Sequence, residues 1–224
     1  MIDDQRMPHR HVVRWDAGNR PAPTWDRDEM TPMPNEHAVM YDCAEVLRDG
    51  TPVRVRATRP DDDHRLVVAF GKLERESIYT RYFSFKKQLT PADLERGNNA
   101  DGRRGAAIMV TLAADAETVI AVGLYSAHPT RDGATSAELA FVTEEDYQGQ
   151  GIARLLLEAL ADVARVHGIV RLDAEVLAQN RAMLRVFERS GLPMHTSRVG
   201  SSVHVELDLR PVSGGLSGDV PAPC

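Results

Sequence analysis

Cysteine is scarce: Cys43 and Cys224 are the only two in 224 residues. That pair supplies neither a disulfide framework nor the ligand spacing of a zinc site. Cys224 is the last residue, whereas a prenylation motif places its cysteine fourth from the end. An excess of cations is missing too, since 27 Lys and Arg stand against 33 Asp and Glu, a net charge of −6. Phosphate backbones are held by the opposite balance, so no nucleic-acid partner is expected. An acidic surface does tolerate a basic substrate such as an amine. No apolar run approaches the roughly 18 residues that a bilayer-crossing helix needs, and no membrane partner is expected. Met1 to Arg14 mixes Asp, Arg and His without the apolar stretch of a secretory signal. The expected location is the reducing cytoplasm.

What is present suits a globular protein with a real core: 42% of residues are hydrophobic and 27% charged. Residues 1–50 carry Pro8, Pro21, Pro23, Pro32 and Pro34 among charges, with little periodicity, and read as an extended arm. Within that arm Val39 to Leu47 can dock on the domain. Residues 51–210 hold the periodic segments and form that expected domain. Residues 211–224, rich in Gly, Ser and Pro, read as a flexible tail.

Inside the domain, Val53 and Val55 alternate with Arg54 and Arg56 as in a strand, after the turn signal Asp49-Gly50. Pro60 and Asp61 to Asp63 open a helix that runs to Lys72. Thr90 caps a second helix with Pro91 at its first position, and Gly97 should end it. Ala106 to Leu112, Thr118 to Tyr125 and Thr135 to Val142 read as strands. From Ile152 to His167, Leu156, Leu160, Val163 and Val166 follow helical spacing, with Gly168 placed as a C-terminal cap. Val170 to Leu177 is a strand, Asn180 to Ser190 a helix, and Val203 to Leu209 a final alternating strand. The fold class is α+β, a mostly antiparallel sheet flanked by helices with one strand-helix-strand crossover.

The most informative stretch is Gln148-Gly149-Gln150-Gly151-Ile152-Ala153-Arg154, which comes after a strand and opens a helix. Unpaired amides converge at such a place, glycines let a ligand approach the main chain, and the helix dipole favours an anion such as pyrophosphate. A Gly-rich helix entry with no ligand is the plainest alternative. A dinucleotide fingerprint fits poorly, because Arg154 stands at the third glycine's place and five residues separate strand from motif. No Gly-Lys-Ser/Thr comes after the glycines, so a P-loop is excluded.

Gln148-x-x-Gly151-x-Ala153 resembles the Q/R-x-x-G-x-G/A signature of the GNAT superfamily of acyl-CoA-dependent N-acyltransferases. The flanking strand, the acidic lead-in Thr143 to Tyr147, the amphipathic helix and the block from Asn180 to Gly191-Leu192 strengthen the likeness, which spans about Thr51 to Leu209. Within that superfamily, Arg59-Pro60-Asp61-Asp62, Ser77 to Phe83 and Leu89 to Leu94 resemble bacterial protein-lysine acetyltransferases that modify acyl-CoA synthetases.

The resemblance implies a V-shaped split between the family's fourth and fifth strands, here Ser136 to Val142 and Val170 to Leu177. Acetyl-CoA would be the co-substrate, with no metal. Phe141, Val142 and Thr143 would face its pantetheine arm, and Gln148, Gly149, Gln150, Gly151, Ile152, Ala153 and Arg154 its pyrophosphate. Asn180 would lie near the pantetheine or the sulfur end. The Arg154 side chain either helps a phosphate or lies on the solvated helix face. The main-chain N–H of Val142 would be the oxyanion donor.

Amine acetylation needs a base, because a lysine of pKa near 10.4 is neutral in only about one molecule in 10³ to 10⁴ at pH 7. Glu138, set among apolar residues in mid-strand, is the candidate; the resemblance puts a general base there, and the alternative is a glutamate facing water. Glu175 is the fallback. Glu144, Glu145 and Asp146 read as a solvated charge run. Many GNAT enzymes place an acidic tyrosine seven residues after the asparagine; here Phe187 stands there and cannot donate a proton. His167, His195 and His204 read as structural or exposed. The expected reaction is acetyl transfer to a lysine of a protein, an acyl-CoA synthetase by resemblance. The alternatives are a small amine acceptor, or a non-catalytic module that senses acyl-CoA.

Overall fold

The computed structural model describes residues 41–74, 88–98 and 101–210. These build one eight-stranded sheet in the order β1-β2-β3-β4-β5-β6-β8-β7. The strands are β1 Asp42–Val46, β2 Pro52–Ala57, β3 Gly105–Leu112 and β4 Asp115–Pro129, then β5 Thr135–Thr143, β6 Arg171–Leu177, β7 Met194–Val199 and β8 Ser202–Asp208. Every pairing is antiparallel except β5 with β6. Among the described residues the helices are α1 Asp63–Lys72, α2 Pro91–Asn98, α3 Ile152–Val166 and α4 Arg181–Glu188.

Alternation decides which face each strand residue serves. Ala106, Ile108 and Val110 of β3 join α3 in the main core with Ala137 and Leu139 of β5 and Leu172, Ala174 and Val176 of β6. Met109 and Val119 point to the other face and meet Leu66 of α1, with Leu94 of α2 nearby. Helices therefore cover both faces, and β3 is buried along almost its whole length. Helix α3 supplies Ile152, Leu155, Leu156, Leu157 and Leu160, each worth roughly 1.5–3 kcal/mol of apolar burial. Leu and Ala, strong helix formers, dominate it. Its end is fixed by Gly168 at φ 75°, where Ile169 N–H donates to the Ala164 carbonyl at 3.0 Å.

Four expectations need correction. The sheet starts before Thr51: β1 pairs along its length with β2, and Leu47 is 3% exposed in the core. The α2 helix passes through Gly97 to Asn98. Its expected cap is real, with Thr90 N–H donating to Asp93 and Asp93 N–H to Thr90 Oγ1. Val166 lies on the solvent side of α3, 80% exposed. A further strand, β7, closes the edge of the sheet beside β8; its side chains are almost all exposed, so no alternation marked it. Most of residues 1–50, the segment Ser77 to Phe83 and all of 211–224 lie outside the described residues.

Asp62 organises the entry to α1. It is 0% exposed and takes both Arg56 guanidinium nitrogens at 2.8 Å, Arg65 at 2.9 Å and the Arg59 main-chain N–H at 2.7 Å. Burial alone would push its carboxyl up; the donors from Arg56, Arg59 and Arg65 outweigh that and hold it below the usual range. The sequence block Arg59 to Asp62 is thus a folding node.

Candidate functional site

Strands β5 and β6 stay paired for only three residue pairs, Ser136 with Arg171, Ala137 with Leu172 and Glu138 with Asp173. Beyond Glu138 they part. The wedge opens toward the N-terminus of α3 and leads into a cavity of about 770 Å³. Phe141, Val142, Thr143, Gln148, Gly149, Gly151, Ile152, Ala153, Arg154 and Asn180, all named from the sequence, line it. Gln150 is absent from that lining; its carbonyl instead accepts from Arg48 N–H at 3.3 Å.

The loop between β5 and α3 is closed by its own contacts. Glu144 N–H donates to Ile120, a 3-10 turn spans Glu145–Tyr147, and Gln148 Nε2 donates to the Thr143 carbonyl at 3.3 Å. Gly149 at φ 76° and Gly151 at φ 95° then take left-handed conformations that side chains resist. Gly151 is the N-cap of α3 and provides no side-chain cap. Arg154 N–H folds back to the Gly151 carbonyl at 3.1 Å, while the amides ahead of it in the first turn have no partner within the helix. A Cβ on Gly149 would meet nothing within 4 Å, which leaves the main chain open to an approaching group. An anion with linked phosphates fits that donor set and the positive end of the helix dipole.

Cations ring the same cavity. Arg48, Arg154, Arg185 and Arg189 all line it. Arg154 is drawn along its helix by Glu158, both carboxylate oxygens at 2.7 Å. Arg48 was missed by sequence reasoning, which put it in the arm; the Asp49-Gly50 turn was the one available signal. On the opposite wall, Asn180 caps α4 by accepting Met183 N–H at 3.1 Å. Phe187 is 1% exposed and packs its ring 6.3 Å from that of Phe141. Gly123, paired with Phe141 across β4 and β5, makes room: a Cβ there would lie 2.8 Å from the Phe141 ring.

Glu138 does not line the cavity. It is half-buried at the last paired position before the wedge opens, on the face opposite Ala137, Leu139 and α3. Its partner in register is Asp173, whose Oδ2 lies 3.4 Å from His128 Nε2. The hydrogen bond to Asp173 and the nearby charges of Asp173 and Glu138 raise the His128 pKa against the effect of burial. The fallback Glu175 is engaged by His204 Nδ1 at 2.7 Å. Of the lead-in acids, Glu145 lines the cavity and accepts Glu74 N–H at 3.1 Å. His195 is exposed on β7 and His167 sits at the C-cap of α3. Ligand atoms of Asp173, His204 and Glu206 come within 4.8 Å of one another, but Asp173 is already flanked by His128 and Arg171.

A sequence profile of the Acetyltransferase (GNAT) family matches residues 73–192. The chain is 32% identical over 168 residues to Acetyltransferase Pat of Mycolicibacterium smegmatis, covering 74% of this chain and 48% of that protein. It thus spans about half the length of that relative. An acetyltransferase of Pseudomonas aeruginosa is 29% identical over 140 residues, 62% of this chain and 74% of its own length. The crystal structure of the GNAT domain of S. lividans PAT superposes with a TM-score of 0.66 at 34% identity, covering 75% of this chain and 96% of that one. No helix among the described residues is long and apolar enough to cross a membrane.

Proposed function

The chain belongs to the GNAT family of acetyltransferases, and from that premise we propose that it acetylates a lysine amine of a protein, with acetyl-CoA as donor and Glu138 as general base. The observation that carries this reading is the wedge between β5 and β6: a cradle of helix-start amides at its open end and a carboxylate at its vertex. The amides of Gly149 to Ala153 would hold the pyrophosphate. The free edge of β5 at Phe141, Val142 and Thr143 would pair with an amide-bearing arm. Bound acetyl-CoA supplies an activated thioester carbonyl. Glu138, on the face away from α3, would take the proton of an amine arriving from that side; its neighbourhood of Asp173 and His128 keeps the vertex polar.

The likeness to proteins named Pat favours a protein acceptor, and an acyl-CoA synthetase is the proposed one. Purified protein, acetyl-CoA and either an acyl-CoA synthetase or a panel of small amines would be compared by lysine-acetyl mass spectrometry and thiol release. Protein lysines should be modified, and Glu138→Gln should lower turnover by about 10² with cofactor affinity nearly unchanged. Acetylation confined to small amines would overturn the acceptor class. Equal turnover of variant and parent would remove Glu138 from the mechanism.

A further inference from the structure

Arg48 reaches the cavity from 101 residues away in sequence, outside the segment 73–192 matched by the family profile. It sits in the turn joining β1 to β2, and that turn is stiff. Leu47 N–H donates to Thr51 at 2.9 Å, Gly50 N–H to Leu47 at 3.0 Å, and Asp49 accepts Thr51 N–H at 2.9 Å. The Leu47 side chain is buried in the main core beneath it. From this anchor Arg48 takes hold of two successive carbonyls of the loop: its main-chain N–H donates to Gln150 at 3.3 Å, and Nη1 donates to Gly149 at 3.1 Å.

A trans peptide points its carbonyl and its N–H in opposite directions. The Gly149 carbonyl shares a plane with the Gln150 N–H, and the Gln150 carbonyl with that of Gly151. Tying both carbonyls to Arg48 therefore turns both amides away from it. We infer that Arg48 is a positioning residue: the β1–β2 turn, through Arg48, holds the loop in its amide-presenting shape before any ligand arrives. This rests on the reading that the loop receives the acetyl-CoA pyrophosphate. It assigns to the N-terminal hairpin a share in cofactor affinity and none in the chemical step.

Arg48→Ala removes the Nη1 bond and the charge while leaving an exposed turn position that alanine tolerates. Calorimetry with acetyl-CoA should show Kd raised about tenfold, the equivalent of about 1.4 kcal/mol. KM should rise in proportion, with kcat within twofold of the parent. Arg48→Lys keeps a charge and a donor and should recover part of the loss. In the ligand-free protein, ¹⁵N relaxation should show lower order parameters at Gly149 to Gly151 in Arg48→Ala, which tests the brace without cofactor. Parent binding with an Arg48→Ala Kd inside twofold would overturn this inference alone. A raised Kd with unchanged loop order would also overturn it, placing Arg48 directly on the ligand. A parent that fails to bind acetyl-CoA would overturn the cofactor reading and this inference with it.

Discussion

Replacing Gly151 with alanine perturbs the loop through backbone conformation alone. At φ 95° a non-glycine residue costs roughly 1–2 kcal/mol. Space is not the issue, because the nearest atom to an added Cβ is Arg48 Nε at 3.7 Å, an ordinary contact. A loop held at its present shape would carry that strain as lost stability. A loop that relaxes in the free protein must be driven back when ligand binds, and affinity then falls by at most about 5- to 30-fold, the same 1–2 kcal/mol expressed as a ratio. Gly168 supplies a matched control at the other end of α3. It has φ 75° and open space around it, and it lies away from the cavity. Urea unfolding should show each alanine variant losing stability by up to about 1–2 kcal/mol. Titration with acetyl-CoA should show weakened binding only for Gly151→Ala. Equal Kd values for both variants and the parent would refute the link between this left-handed residue and the ligand, and so would equal weakening in both.

Asp62→Asn would leave the buried Arg56 without its carboxylate partner, while Arg65 keeps Glu117, and should destabilise the fold by about 3–5 kcal/mol in urea unfolding. In the parent, the depressed Asp62 carboxyl contributes stability that is full above its unfolded pKa and lost as pH falls through its folded one, so the variant's unfolding midpoint should vary less below about pH 4. Phe187→Tyr would bury a hydroxyl in the packed core beside Phe141 and should cost about 1–3 kcal/mol without raising kcat, measured by thermal unfolding and steady-state rates. A faster enzyme would show that this position acts on the leaving group.

Strong local signals were legible and weak or non-local ones were not. The α3 helix announces itself because its leucines repeat at helical spacing between two left-handed glycines, Gly151 and Gly168. The β3, β5 and β6 strands show as apolar or alternating runs because one or both faces are covered. Strand β1 hides because only Cys43 in Asp42–Val46 is buried, so its pattern DCAEV carries no clear alternation. Strand β7 is hidden for the same reason. In the site, the cavity-lining residues between Phe141 and Arg154 were readable because they fall within one short stretch of sequence. Arg48 was unreadable because its role depends on contact with Gly149 and Gln150, a juxtaposition created only by the sheet order. The position of Glu138 beyond the cavity wall was equally hidden, since it depends on where β5 and β6 separate.

A sheet that comes apart in its middle after three pairs leaves two inner edges short of partners. Whatever extended, amide-bearing molecule slides into the gap completes the hydrogen-bonded ladder that the polypeptide leaves unfinished. The folded state then gains from supply of that molecule, by about 2.7 kcal/mol at a hundred times its Kd. Heat resistance in such a protein reports on metabolite level, and starvation for the occupant would weaken the architecture along with the activity.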